Sequence, residues 1–211
     1  MSIAHHLDDA TLMSLAAGTL APALAVVAAS HVSVCPHCRH MLTTFEEAGA
    51  ALLADLVPIP LSEEPPPMPQ NAARPRHTEP PPSGELPQPL ARLVGRPLDA
   101  VRWRPLGFGI WHHRIALPAR DSGELNLIHA SPGYGLPAHG HNGAELTLVL
   151  RGAYQDEVGR FRVGDAADLD ESIEHRPVAD PVAGCICVLA CEGPARFQGL
   201  LPRLLQPLFG L

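Results

Sequence analysis

The chain has 211 residues, which is enough for one large domain or two small ones. All of its basic residues are arginine, so the sequence excludes a Schiff-base lysine, a P-loop lysine and a kinase-type phosphate-binding lysine. The net charge of −7 argues against a general nucleic-acid binder, because neutralising phosphates needs basic patches. The chain also holds 12 histidines and 24 prolines, whose positions indicate where its sites and boundaries lie.

The N-terminal region has the pattern of neither a leader nor a membrane span. It lacks the basic stretch followed by an apolar stretch that a secretory signal needs. The most apolar early run, residues 20–34, is interrupted by Pro22, Ser30, His31 and Ser33, and is shorter than the roughly 20 residues of a bilayer span. The five cysteines, an odd number, do not suggest a disulfide framework. We therefore predict a cytoplasmic protein without a membrane partner.

Proline divides the chain. Twelve of the 24 prolines fall in residues 58–89, a density that sustains neither a helix nor a central strand. This composition predicts an extended linker over residues 58–89. The linker separates a first domain, residues 1–57, from a second domain, residues 90–211.

The first domain is predicted to be a small helical bundle. One helix begins near Asp8 and ends at Gly18, a second runs from Pro22 to about His31, and a third begins at Pro36 and includes Leu53. Residues 1–57 contain five acidic residues and one arginine, a formal charge of −4.

In the second domain, the residue pattern has the period of β-strands. Residues 124–129, 145–150, 153–158 and 185–189 are predicted strands, separated by turn signals such as Gly152 and the Gly164-Asp165 pair. Short strands at this spacing favour a sandwich or a barrel. The predicted fold class is thus multidomain, with a helical bundle followed by a β-barrel.

The motif His31-x3-Cys35-x2-Cys38 has the residue types and spacing of a zinc knuckle. Structural zinc takes four nitrogen and sulfur ligands, and Cys35 at a helix N-terminus would have its thiolate stabilised. A thioredoxin-like redox pair is disfavoured because the βαβ pattern is absent. A chance Cys-x-x-Cys pair with surface histidines is the alternative. Four histidines are candidates for the fourth ligand, with the first two favoured by a compact bundle: His5, His6, His37 and His40.

A second set of metal-ligand residues lies in the β domain. His139 and His141 are two apart and so share one face of a strand, Glu145 follows, and His175 comes after the next predicted strand pair. Three imidazoles and a carboxylate suit Zn²⁺, Fe²⁺, Mn²⁺, Ni²⁺ or Cu²⁺.

This pattern resembles the first cupin motif, Gly-x5-His-x-His-x3-Glu-x6-Gly, from Gly133 to Gly152. Residues 159–175 resemble the second cupin motif more loosely. The resemblance implies a small double-stranded β-helix barrel, in which His139, His141, Glu145 and His175 hold a divalent metal, Zn²⁺ or Fe²⁺/Mn²⁺.

A short helical unit with the knuckle followed by a cupin resembles the ChrR family of anti-sigma factors, over residues 1–57 and 86–211. The resemblance implies that His6 joins His31, Cys35 and Cys38 around Zn²⁺. It also implies that the helical domain inhibits an extracytoplasmic-function (ECF) sigma factor of RNA polymerase. The cupin would sense a signal, an oxidative one being favoured. That family usually has a fourth helix, whereas residues 61–89 here are proline-rich and leave room for a helix only near residues 86–94.

The competing hypotheses are an enzyme and a metal-storage protein. A mononuclear cupin with open metal positions is also the arrangement of an iron dioxygenase or a related enzyme. Tyr154, Asp156, Glu157 and Arg151 are the candidates to line its pocket, although no pattern selects any of them as catalytic. Three further cysteines have the spacing of one strand face and are interpreted as small buried side chains, with a redox sensor or metal ligands near the cupin site as the alternatives: Cys185, Cys187 and Cys191.

Overall fold

Four helices precede the strands in this computed structural model, which describes residues 2–57, 85–107, 109–117, 123–194 and 196–197. The helices are α1 (Asp9–Ala16), α2 (Pro22–Val34), α3 (Pro36–Ala54) and α4 (Gln88–Val94). The three predicted helices are confirmed, and α2 runs one turn beyond His31. Residues 58–84, most of the predicted linker, lie outside the described residues.

The C-terminal half is an antiparallel β structure. Its strands are β1 (Arg104–Gly107), β2 (Ile110–Arg114), β3 (Glu124–Ala130), β4 (His139–Gly140), β5 (Glu145–Gln155), β6 (Arg160–Arg162), β7 (Ala166–Leu169), β8 (Val178–Ala179), β9 (Cys185–Cys191) and β10 (Arg196–Phe197). The order in the main sheet is β1-β2-β3-β9-β5-β6, and β7 and β8 also pair with β5. Strand β4 pairs with β10. The long strand β5 therefore connects the parts of a cupin-like barrel.

The predicted separate strand over residues 153–158 is wrong. Strand β5 continues through Gly152, and a register shift between Val149 and Arg151 marks a bulge. Gly152 adopts φ 72°, so the predicted turn is instead a bend that lets one strand pair with different neighbours along its length. Val158 lies in the following turn, where Asp156 Oδ1 accepts its N–H at 2.9 Å.

The central strands bury both faces. On β5, Leu146, Leu148 and Leu150 join a core that includes the helices, whereas Val149 joins the core inside the barrel. Strands β3 and β9 alternate in the same way. Since successive side chains of a strand point to opposite faces, one face lines the barrel and the other lies under the helices.

Helix α2 connects the helical module to the barrel. It contacts β3, β5 and β9, and it also contacts the other helices α1, α3 and α4. Its side chains Leu24 and Val27 are buried in the same apolar cluster as Leu146 and Val188 of the sheet. Helix α4, within the segment where the sequence left room for a fourth helix, packs its buried Leu90 in that cluster. The helices and the sheet thus share one core.

Within the described ranges, none of the helices combines the length and the hydrophobicity that crossing a bilayer requires.

Candidate metal centres

The knuckle residues come together where α2 meets α3. Cys35 is the N-cap of α3, and its sulfur accepts the backbone N–H of Cys38 at 3.5 Å. His31 Nε2 lies 3.3 Å from Cys38 Sγ, and His6 Nδ1 lies 3.3 Å from Cys35 Sγ. One ligand atom from each of these four residues lies within 4.8 Å of the others. The arrangement is a compact set of two nitrogens and two sulfurs.

Burial sets the protonation of this cluster. Burial lowers the pKa of His31 to about 4, so the imidazole is neutral at pH 7 and has a lone pair for a metal. Burial raises the pKa of the Cys38 thiol to about 11, and the neighbouring Cys35 adds to that shift. The buried Cys38 thiol therefore loses its proton when a cation replaces it, which is the behaviour of a structural metal site.

The other histidines near the knuckle occupy different positions. The His5 ring packs on Phe161 of the barrel, with ring centroids 4.3 Å apart. His37 and His40 are exposed, although the His37 ring lies 4.4 Å from that of His6. Of the four candidates, the structure brings His6 into the cluster.

The second cluster lies inside the barrel. His139 is on β4, Glu145 begins β5, and His141 lies in the short connection between them. His139 and His175 form an antiparallel bridge in which each N–H donates to the other's carbonyl at 3.0 Å. All four side chains are buried, and one ligand atom from each lies within 4.8 Å of the others.

In two of these histidines, the ring nitrogen Nδ1 has a hydrogen-bond partner elsewhere in the protein. His139 Nδ1 lies 2.8 Å from the Pro137 carbonyl, and His175 Nδ1 lies 2.9 Å from Asp156 Oδ2. Because a carbonyl and a carboxylate only accept, each Nδ1 carries the proton and each Nε2 is left as a lone-pair donor. The two Nε2 atoms are 3.3 Å apart and face each other.

Glu145 and His141 complete the donor set. Burial opposes ionisation of Glu145, but the hydrogen bond from His141 and the nearby imidazoles hold the pKa of Glu145 below its usual value. His141 Nδ1 lies 3.1 Å from Glu145 Oε2, while His141 Nε2 is buried and has no hydrogen-bond partner among the described residues. Such a buried orphan beside an anionic carboxylate fits a cation.

A small cavity, about 60 Å³ in volume, adjoins the second cluster. Its wall is mostly apolar, with Ile110, Ile128 and Leu136 facing Tyr154 and Thr147. Burial raises the pKa of Tyr154 well above its usual value, so this hydroxyl stays protonated. The space admits only a small ligand beside the cluster.

The other candidates for a pocket have structural contacts. Asp156 orients His175, and Glu157 Oε2 accepts the backbone N–H of Arg176 at 2.7 Å. Arg151 pairs with Glu85, before α4, and with Asp99, after it, which ties both flanks of that helix to the barrel. Arg151 and Glu157 thus act on the fold rather than in the cavity.

The strand cysteines line the same region. Cys185 and Cys187 border the cavity, and Cys191 Sγ donates to Glu145 Oε2 at 3.6 Å. The hydrogen bond with Cys185 and burial raise the pKa of Cys187, and burial with the charge of Glu145 raises that of Cys191. Raised pKa values disfavour the thiolate, which is the reactive form.

Two acidic side chains make contacts near the clusters that no pattern in the sequence predicts. The sequence indicates Asp156 only as one of the polar candidates to line a pocket. Asp165 belongs to the Gly-Asp turn of the second motif, and its contacts with residues 4 and 5 have no signal in the sequence.

The barrel with its enclosed three-histidine, one-glutamate cluster defines a cupin-fold protein, here with a helical His₂Cys₂ cluster docked on the outer face of the sheet. The family model described as the ChrR Cupin-like domain matches residues 93–194. The chain is 40% identical to the anti-sigma-E factor ChrR of Cereibacter sphaeroides, over 99% of both chains.

A solved structure agrees with that match. The crystal structure of Rhodobacter sphaeroides SigE in complex with the anti-sigma ChrR contains a chain with 38% sequence identity and a TM-score of 0.76. The match covers 90% of this chain and 99% of that chain. The chain therefore belongs to the ChrR family of anti-sigma factors.

Proposed function

We propose that this protein is an anti-sigma factor whose helical module binds and inhibits an ECF sigma factor, and whose cupin relieves that inhibition on a signal. The observation that carries the proposal is the 40% identity to an anti-sigma factor over both modules. The proposed units are residues 1–57 for partner binding, 58–89 as tether and 90–211 as sensor. This function places the protein in the cytoplasm, with RNA polymerase.

An exposed apolar patch supports partner binding. At the end of α3 and just after it, Leu52, Leu53, Leu56 and Val57 are 66–85% exposed. Cys38 is the one buried residue of α3. Several large apolar side chains exposed near one helix end are typical of a protein interface.

Charge supports the same surface. Helix α3 carries Glu46 and Glu47, and Asp55 follows directly at its C-cap. The surfaces that a sigma factor uses for promoter DNA are basic, so acidic side chains around the apolar patch would steer the encounter and favour its orientation.

We further propose that the knuckle holds one Zn²⁺ through His6 Nδ1, His31 Nε2 and the sulfurs of Cys35 and Cys38. A two-nitrogen, two-sulfur set is the donor chemistry of structural zinc, and a small helical bundle gains folding free energy from it.

The second proposed site holds a divalent metal, Zn²⁺ or Fe²⁺/Mn²⁺, on His139, His141, Glu145 and His175. Nitrogen and oxygen donors accept several divalent ions. When bound, the ion supplies open positions for a small ligand or oxidant that enters the adjoining cavity. This protein's residues hold the donors in place and surround that position with apolar side chains.

Strand β7 is the proposed route from sensor to partner-binding module. Leu169 of β7 lies opposite Glu145 of β5. Asp168 Oδ2 on the same strand accepts the N–H of Asp8, just before α1, at 3.0 Å. A displacement of Glu145 would thus be transmitted through one short strand to the helical module.

We propose regulation rather than catalysis as the role of the cupin. The curated relative that matches over the full length is an anti-sigma factor, and Asp156 and Glu157 hold a ligand or the fold. Iron-dependent turnover of a small molecule by the purified protein would contradict this choice.

The test is a reconstituted transcription assay with the cognate ECF sigma factor and the Cys35→Ser/Cys38→Ser variant. We expect the variant to lose one zinc per chain and to lose sigma inhibition. Cys187→Ser, a thiol outside the knuckle, is the matched control and should inhibit as wild type does. Full inhibition by the zinc-free variant would overturn the structural role of the knuckle, and a wild-type protein that fails to bind the sigma factor would overturn the function.

A further inference from the structure

The chain segment before α1 is fixed to the barrel at the turn between β6 and β7. Ala4 N donates to Asp165 Oδ1 at 2.7 Å, and His5 N donates to the same oxygen at 3.2 Å. In return, Ala166 N donates to the His5 carbonyl at 3.3 Å. The first residues of the helical module thus continue the hydrogen bonding of a barrel strand.

These contacts determine where His6 lies. On one side His5 is held by Asp165, and on the other side the N–H of Asp8 is held by Asp168. His6 is therefore placed by two backbone anchors that belong to the barrel, and its Nδ1 faces Cys35 Sγ at 3.3 Å.

The same turn also contacts the second histidine of the knuckle. His31 is fully buried, and its Nδ1 lies 3.0 Å from the Gly164 carbonyl, 133 residues away in the chain. Because a carbonyl accepts only, Nδ1 carries the proton and Nε2 keeps the lone pair that faces Cys38.

We propose that the Gly164-Asp165 turn of the cupin positions the histidine ligands of the zinc knuckle. The Gly164 carbonyl orients His31, and Asp165 is the positioning residue for the segment that carries His6. The inference rests on the proposed zinc site and assigns its regulation to the barrel. Both histidine ligands of the helical module are oriented by one turn of the sensor, so zinc affinity depends on the docking of the two modules. Outer-shell partners of metal-bound histidines commonly change affinity by about 10–100-fold.

Asp165 is suited to this role by its own environment. It is 2% exposed, and its second oxygen, Oδ2, accepts the N–H of Arg162 at 2.8 Å. Three backbone donors thus solvate a buried carboxylate, two of them from the segment that carries His6. Charge-assisted hydrogen bonds of this type are stronger than neutral ones, so the carboxylate fixes the segment firmly.

The test uses the full-length protein with Co²⁺ in place of zinc, because sulfur ligation gives a thiolate-to-cobalt charge-transfer band. Metal affinity at the knuckle is measured as the Co²⁺ affinity, by chelator competition at that band, and folding by circular dichroism. For Asp165→Ala we expect about 10–100-fold weaker affinity with altered cobalt d–d bands. Asp165→Asn keeps one oxygen acceptor and should show a smaller loss, at least threefold. Asp180→Asn is the matched control, since Asp180 Oδ1 also accepts two backbone N–H groups in a barrel turn, from Val182 and Ala183.

Wild-type affinity and spectra in both Asp165 variants would overturn the inference. If Asp165→Ala does not fold, Asp165→Asn decides: a loss of threefold or more supports the role, and wild-type affinity overturns it. A wild-type protein without the thiolate-to-cobalt band would instead overturn the proposed knuckle itself, as would a band that persists in Cys35→Ser/Cys38→Ser.

Discussion

His175 and Asp156 form a buried pair in which Nδ1 of the imidazole donates to Oδ2 across 2.9 Å, and both side chains are at most 3% exposed. The hydrogen bond with His175 and two backbone N–H groups lower the pKa of Asp156 against the opposing effect of burial. The carboxylate is thus ionised, the proton of His175 stays on Nδ1, and Nε2 faces the cluster.

Replacing Asp156 by asparagine should weaken metal binding in the cupin. An amide in the place of Oδ2 donates to Nδ1, which moves the imidazole proton to Nε2 and blocks that lone pair. We expect about 10–100-fold lower affinity for the cupin metal, measured by chelator competition in the presence of a filled knuckle. Asp170→Asn is the control, because the Asp170 carboxylate caps a turn at Ser172 away from the cluster. Equal affinities in the two variants would contradict the role of Asp156.

Zinc binding by the knuckle should strengthen as pH rises from 6 to 8. The pKa of Cys38 is about 11, so its thiol is protonated across this range and zinc must displace the proton. The pKa of His31 is about 4, so this ligand is already neutral and releases none. Each displaced proton lowers the apparent Kd about tenfold per pH unit. Chelator competition at three pH values, corrected for chelator protonation, measures this slope.

The pH dependence of the apparent Kd for zinc has a control in a thiol outside the knuckle. Cys187→Ser leaves the knuckle intact and should give the wild-type slope. A Kd that does not change between pH 6 and 8 would mean that the bound ion does not displace the Cys38 proton.

Gly152→Ala should destabilise the barrel far more than Gly133→Ala. Both glycines have positive φ, 72° and 76°, so each substitution carries the cost of that backbone conformation. A Cβ on Gly152 would lie 2.1 Å from the Gly184 carbonyl oxygen, whereas one on Gly133 would meet no atom within 4 Å. We expect a loss of about 1 kcal/mol of unfolding free energy at Gly133 and about 3 kcal/mol or more at Gly152.

Urea denaturation followed by tryptophan fluorescence measures both glycine variants. Gly152 lies on β5, the strand that begins with Glu145, so its substitution should also lower metal occupancy of the cupin. Equal stabilities would show that β5 shifts away from Gly184 at little cost.

Leu52→Ser/Leu53→Ser should weaken sigma binding without destabilising the protein. These side chains are 73% and 69% exposed, and surface substitutions usually change stability by about 0.5 kcal/mol or less. If they lie in the partner interface, we expect a Kd for the sigma factor that is about tenfold higher or more, because the apolar area that these leucines bury on binding stabilises the complex. Val182→Ser, at a site 86% exposed on the barrel, is the control. Unchanged affinity, by surface plasmon resonance or calorimetry, would place the interface elsewhere.

The sequence alone predicted the elements that depend on short spacing. Pro22 and Pro36 marked helix starts, and Cys35 at an N-cap places Cys38 one turn further, since helix geometry relates residues three apart. Likewise, the two-residue spacing of His139 and His141 in the cupin motif predicted that both side chains point to the same side. It did not indicate that β5 continues through Gly152, because a glycine in a strand pattern is compatible with either a turn or a bulge.

Tertiary structure decided which distant groups meet. His5 and His6 are neighbours with the same chemistry, and their roles separate only because the His5 ring packs on Phe161 while His6 faces Cys35. The docking of α2 on the sheet and the contact of His31 with Gly164 join surfaces more than 100 residues apart. Local spacing carries no information about such contacts, because they arise from burial of two apolar faces against each other after each has formed. The sequence thus predicted two sets of candidate metal-binding residues and a boundary between two modules, and only the fold brought the Gly164 carbonyl of one module against His31 of the other.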